Sequence, residues 1–202
     1  MLIYKIGNKH GVCYTDVVFN THNGMRKIGI IYSTVDGQTK KICEKLKSVI
    51  DEQKLKVDLV SIKNFNKNIT DYDTMIIGAS VRYGKHDSSI KKFMIDHKSD
   101  LKKINTLFFS VNLVARKDDK NSPDTNPYLK KFIKAIGWTP DVLDVFAGRL
   151  DYSMYSFLDK VMIKLIMKLT NGPTSTESAI EYTNWDRVKI LGEKIVTLNT
   201  IE

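Results

Sequence analysis

The chain has 202 residues, 42% of them apolar and 27% charged, with a formal net charge of +9. That balance suits one well-buried core and excludes collagenous, disordered and disulfide-framed classes. Cys13 and Cys43 are the only cysteines, and the four histidines lie scattered without ligand spacing, so no protein metal site is expected.

Residues 1–24 precede the first strand pattern without a partner segment of their own, and Met25 stands directly ahead of it. We expect them to be a non-native extension with Met25 as the natural start and residues 25–202 as the domain; the alternative is an added edge strand over 11–20. The N-terminus lacks the apolar core and cleavage site of a secretory signal, and no apolar stretch reaches the roughly 20 residues of a bilayer-crossing helix. A cytoplasmic protein is the expectation.

From Lys27 onward, short β-branched runs alternate with amphipathic segments, the pattern of a parallel sheet covered on both faces. Strands are predicted over 27–32, 56–60, 74–79, 106–111 and 142–147, and helices over 38–52, 88–97, 127–136 and 185–199. In the first helix Ile42, Leu46, Val49 and Ile50 form the buried stripe, with Cys43 beside it in a structural role. Between the fifth strand and the last helix, residues 149–172 are too long for an ordinary connection.

The first strand runs into Ser33, Thr34, Val35, Asp36, Gly37, Gln38 and Thr39, and then directly into the first helix. Hydroxyls of Ser33, Thr34 and Thr39 can donate to phosphate oxygens, Gly37 permits close backbone approach, and the helix N-terminus offers unpaired N–H groups. Neither G-x-G-x-x-G nor G-x-x-x-x-G-K-S/T occurs in this loop, so a monophosphate cofactor such as FMN matches better than a dinucleotide or a triphosphate. Asp36 is an anion beside the expected phosphate, and its side chain is expected to turn away and cap the helix or tighten the turn.

Two further loops follow central strands, at the edge where open α/β sheets place ligands. One contains Gly78, Ala79, Ser80, Val81, Arg82, Tyr83 and Gly84; the other contains Ser110, Val111, Asn112, Leu113, Val114, Ala115, Arg116 and Lys117. Tyr83 could stack on a flavin face, the alternative being a partly buried core aromatic, and backbone amides of the small-residue turns could bond the polar edge of the ring. His86 lies close enough in sequence to reach the site, but a lone loop histidine is more often simply exposed.

With these residues in view, the chain resembles the flavodoxin-like, quinone-dependent protoporphyrinogen IX dehydrogenases. The segments that carry the resemblance are 33–39, IGASVRYG at 77–84, SVNLVARK at 110–117, MIKLIMK at 162–168 and YTNW at 182–185. It implies an α/β flavodoxin-like fold with five parallel strands in the order 2-1-3-4-5. It also implies FMN-dependent oxidation of protoporphyrinogen IX in haem biosynthesis, with electrons passed to menaquinone or another quinone. Cations are then needed for the two substrate propionates, and Arg82, Arg116, Lys117 and Arg149 are the candidates. No catalytic residue of the protein is assigned, because the flavin carries the chemistry.

Within the inserted segment, Met154, Leu158, Val161, Met162, Leu165 and Leu169 share a helical face, while Lys160, Lys164 and Lys168 share another. Leu158, Lys160, Met162, Lys164, Leu165 and Lys168 are therefore expected to contact an anionic membrane surface or the quinone. A helix packed on the domain or on a second subunit is the alternative, in which Tyr152, Tyr155 and Phe157 would anchor a homo-oligomer. An electron-carrying flavodoxin and an NAD(P)H-dependent quinone reductase remain as other functions, the first disfavoured by the basic charge. Nucleic-acid binding is not expected, since basic residues do not alternate with aromatics along one stripe.

Overall fold

A computed structural model of the chain describes residues 26–151 and 179–200, together with Val161. The expected extension, and the residues proposed for membrane or quinone contact, lie outside the described residues.

The parallel sheet is built from β1 (Lys27–Ser33), β2 (Lys56–Ser61), β3 (Thr74–Arg82), β5 (Asn105–Val111) and β6 (Val142–Phe146), in the order β2-β1-β3-β5-β6. Counting only these five, the order is the expected 2-1-3-4-5. The two-residue strand β4 (Lys85–His86) lies off this path and pairs antiparallel with the end of β3. Sequence patterning missed β4, and for the same reason ended β3 early: residues 80–82 read as loop but are strand.

Successive strand residues feed two cores, as the two-residue period requires. Ile28, Ile30, Ile76, Leu107 and Phe109 pack under α1 (Gln38–Asp51) and the C-terminal helix. Ile31, Ile77, Phe108 and Val145 face α2 (Ser88–Asp96) and α4 (Pro127–Ile136). The expected helix over 88–97 ends at Asp96, and a short helix, α3 (Lys98–Leu101), follows after His97.

The stripe of α1 is buried as predicted, and burial pushes the Cys43 thiol far up, so it is inert and structural. This face meets α5 (Trp185–Thr200) closely enough that a Cβ on Gly192 would lie 2.9 Å from Val49 Cγ1. The missing side chain is what lets the two helices approach.

The excursion between β6 and α5 is pinched at its base by an antiparallel pair, β7 (Arg149–Leu150) with β8 (Ile180–Glu181). It therefore spans residues 151–179, longer than the 149–172 read from hydropathy. Tyr182 N–H donates to Gly148 C=O (3.1 Å), which lays the returning chain beside the end of β6.

Candidate functional site

β1 ends at Ser33 and α1 starts at Gln38, so the loop between them sits at the carboxyl edge of the sheet beside the central strand β3. Gly37 occupies the N-cap of α1 with φ 81°, a left-handed conformation that a side chain would strain. Being glycine, it also offers no side-chain oxygen to the first amides of the helix. Intrahelical bonding begins with Lys41 N–H to Gly37 C=O (3.1 Å), which leaves the amides of Gln38, Thr39 and Lys40 ahead of the ladder.

Four buried side-chain polar atoms have no hydrogen-bond partner among the described residues: Ser33 Oγ, Thr34 Oγ1, Gln38 Oε1 and Thr39 Oγ1. All four belong to this one loop. An orphaned buried polar atom costs about 1–3 kcal/mol, and native proteins keep few of them. Three hydroxyl donors beside the positive end of a helix dipole make a cradle whose missing partner is an anion with several acceptor oxygens.

The side chain of Asp36, expected to turn away and cap the helix or tighten the turn, reaches across to Arg82. Its carboxylate oxygens lie 3.2 and 3.3 Å from Nη1 of Arg82, at the end of β3. The pair screens the one acid of the loop and ties the loop to the neighbouring turn. Val35, at the loop tip, is exposed.

Across that tie, Tyr83 (φ 50°) and Gly84 (φ 72°) form the two-residue turn between β3 and β4. Two successive positive φ values define a type I′ hairpin turn, which matches the strand twist and normally carries Asn, Asp or Gly. A tyrosine in this conformation costs about 1–2 kcal/mol. Its side chain is 58% exposed, so Tyr83 is not the core aromatic of the alternative reading. The Arg82 guanidinium lies 5.3 Å from its ring centroid, which holds cation and aromatic together at the rim. Ala79 is fully buried, while Ser80 and Val81 are half-buried on the last strand residues.

His86 is not an exposed loop residue. It sits on β4 with its ring 4.6 Å from Phe132 and 5.7 Å from Phe108, centroid to centroid, and Nε2 lies 2.8 Å from Ser110 Oγ. Desolvation lowers its pKa to about 4, so the ring is neutral at ordinary pH.

The third loop resolves its polar groups internally. Asn112 is buried; its Oδ1 accepts from Ala115 N–H (3.1 Å) and from Asn126 Nδ2 (3.1 Å), while its own Nδ2 donates to Ser110 Oγ (3.0 Å). Asn126, fully buried, caps α4 by accepting from Leu129 N–H and donates to the Lys120 carbonyl as well. Asn112 therefore shapes the loop, its side-chain amide being satisfied within it. Leu113 and Val114 are half-buried in the following turn, and Ala115 is buried.

The cations expected for propionates are placed differently from one another. Arg116 donates back to the Leu113 carbonyl (2.9 Å), Arg149 pairs with Asp151 (2.7 Å), and Arg82 pairs with Asp36. Lys117 is half-buried and makes no ion pair within 4 Å among the described residues. Sequence reasoning missed two residues that join the site from a distance, Asn126 and Thr183. Thr183 accepts from Gln38 Nε2 (2.9 Å) across 145 positions, and the only trace of it in the sequence is its place in the YTNW segment.

A doubly covered parallel sheet with a hydroxyl-rich anion cradle after its first strand defines a flavodoxin-type α/β protein, and a flavodoxin-domain family model matches residues 29–177. Over 170 residues the chain is 39% identical to protoporphyrinogen IX dehydrogenase (quinone) of Escherichia coli, covering 84% of this chain and 94% of that protein. It is 42% identical over 162 residues to the Leishmania major protein of the same name, covering 79% of this chain and 70% of that one. The chain belongs to this family of flavodoxin-domain dehydrogenases. Among solved structures, an archaeal flavodoxin aligns with a TM-score of 0.49 and 15% identity over 87% of this chain and 99% of its own.

The phosphate end of FMN fits the cradle. Ser33, Thr34 and Thr39 supply unsatisfied donors, Gly37 leaves the N-terminus of α1 open, and no side chain in the loop blocks it with a capping bond.

Proposed function

We propose that the chain oxidises protoporphyrinogen IX to protoporphyrin IX with FMN as its cofactor and passes the electrons to a quinone. The observation that carries this reading is the cluster of unpartnered buried polar atoms in the loop at 33–39, in a chain whose relatives bear that name. Six hydrogens leave the porphyrinogen in three two-electron steps, and three quinones become three quinols. Bound FMN supplies the two-electron acceptor chemistry.

The protein's own work is to bind and orient. Ser33, Thr34, Thr39 and the first amides of α1 hold the phosphate. Tyr83 offers an exposed aromatic face beside the Arg82 cation, suited to a planar ring. Lys117 and Arg116, on the loop after β5, are the cations we assign to the substrate propionates; Arg82 and Arg149 pair with Asp36 and Asp151. His86, neutral and packed against Phe108 and Phe132, supports the sheet edge.

Peripheral contact with an anionic membrane belongs to the same proposal, supported by the lysine spacing at 160, 164 and 168. Among the described residues no helix is long and apolar enough to cross a membrane. Flotation with anionic liposomes is expected to recover the protein; recovery only in the unbound fraction would remove this part.

The deciding experiment is anaerobic. Protein loaded with FMN is offered protoporphyrinogen and a quinone analogue, then NADPH and the same analogue, while porphyrin fluorescence and flavin absorbance are followed. Turnover with protoporphyrinogen alone is expected. Turnover with NADPH alone would make the chain a quinone reductase, and turnover with neither would make it an electron carrier. Arg116→Ala is expected to raise the KM for the porphyrinogen with FMN still bound.

A further inference from the structure

Thr183 lies outside the three loops that form the cradle and its rim, yet it controls the orientation of one cradle residue. Its hydroxyl has a single proton, and that proton goes to the Ala147 carbonyl, 2.7 Å away. Towards Gln38 the same oxygen can only accept. The Gln38 amide is thereby held with Nε2 against Thr183 (2.9 Å) and with Oε1 as the buried, unpartnered acceptor of the loop. Gln38 is only 4% exposed, and Thr183 only 9%, so water does not compete for either bond.

An acceptor among donors has a chemical consequence. A phosphate dianion carries no proton for Gln38 Oε1, so that atom is satisfied only by a donor elsewhere on the bound molecule, a hydroxyl or an N–H. A glutamine rotated by half a turn would present N–H instead and reject such a donor. Thr183 also stands two residues after β8, where the chain returns from its long excursion, and Tyr182 N–H to Gly148 C=O fixes its height beside β6.

We propose that Thr183 is a positioning residue for the cofactor: through the chain Ala147 C=O, Thr183 hydroxyl, Gln38 amide, it sets the acceptor in the cradle and makes cofactor affinity depend on how the returning strand β8 is seated. This rests on the assignment of FMN to the cradle.

The test measures FMN dissociation constants by quenching of flavin fluorescence for the full chain and for Thr183→Val, Thr183→Ser, Gln38→Leu and the Thr183→Val/Gln38→Leu double variant, with melting temperatures of each apoprotein. Thr183→Val is expected to weaken FMN about tenfold, the worth of one well-placed hydrogen bond. Thr183→Ser, which keeps the hydroxyl, is expected to restore binding, and the double variant to be no weaker than Gln38→Leu alone. Wild-type affinity in Thr183→Val would overturn the proposal, as would losses that multiply in the double variant. A loss in Thr183→Val that tracks its apoprotein melting temperature and is not rescued by serine would overturn it too. Failure of the unaltered chain to bind FMN would instead strike the functional assignment.

Discussion

Two loops at the same edge of the sheet treat their polar groups in opposite ways. The loop after β1 buries Ser33, Thr34, Gln38 and Thr39 with an unpartnered oxygen on each, whereas the loop after β5 closes Ser110, Asn112 and Asn126 into a continuous hydrogen-bonded net. Both are buried, so exposure does not separate them. The difference is that one loop is complete as folded and the other is complete only with a ligand. Unsatisfied groups cost stability in the apoprotein and return it on binding, which is how a fold reserves energy for a cofactor.

The largest effect is expected when the incomplete loop is made apolar. A Ser33→Ala/Thr39→Val variant should bind FMN about 100-fold more weakly or worse, since each hydroxyl bonds a charged phosphate. Its apoprotein should melt no lower than the parent, because two orphaned hydroxyls are removed. A clear drop in apoprotein melting temperature would show that these hydroxyls are satisfied within the protein, and the contrast between the loops would collapse.

The complete loop should respond the other way. Asn126→Ala removes a helix cap and two donated bonds, and is expected to cost about 3 kcal/mol in urea unfolding of the apoprotein. A change below about 0.5 kcal/mol, the level of an unconnected surface substitution, would break the claim that this net organises the loop.

Acid should loosen the same side of the molecule. His86 has an ordinary pKa of 6.5 and a folded value of about 4, so between these values the unfolded chain binds more protons than the folded one. Stability from the neutral, half-buried ring is therefore fully present above about pH 6.5 and falls as pH drops towards 4, by up to about 3 kcal/mol. Unfolding free energies measured across that range should show the slope, and His86→Phe should flatten it. An unchanged slope in His86→Phe would assign it to other groups.

The smallest effect concerns the turn between the loops. Tyr83→Gly removes a side chain from a positive φ and should stabilise the apoprotein by about 1 kcal/mol, while raising the KM for a planar substrate. A loss of stability would mean that the exposed ring is packed more tightly than its surface suggests.

What was legible in the sequence follows from local chemistry. Apolar runs bounded by turn residues located all five long strands, and α4 was placed at Pro127–Ile136, because burial on both faces of a parallel sheet leaves an unmistakable pattern. The hydroxyls, Gly37 and the strand-to-helix step marked the cradle, because phosphate recognition by a helix N-terminus needs only neighbouring residues. β4 was missed because its turn uses Tyr83 where a small or polar residue is usual, and the base of the excursion was missed because β7 and β8 are two residues each, too short for any period.

The long-range partners were beyond reach for a different reason. Asp36 looked like a cap or a turn residue until Arg82, 46 positions away, took its carboxylate; His86 looked exposed until Phe108 and Phe132 closed on it; Gln38 received its orientation from Thr183. The sequence by itself determined where the strands, the helices and the anion cradle lie, since these depend on residues a few positions apart. Only the tertiary structure decided which polar groups are satisfied and which await a ligand, because a hydrogen bond is met by whatever atom the fold brings within about 3 Å, at any distance along the chain.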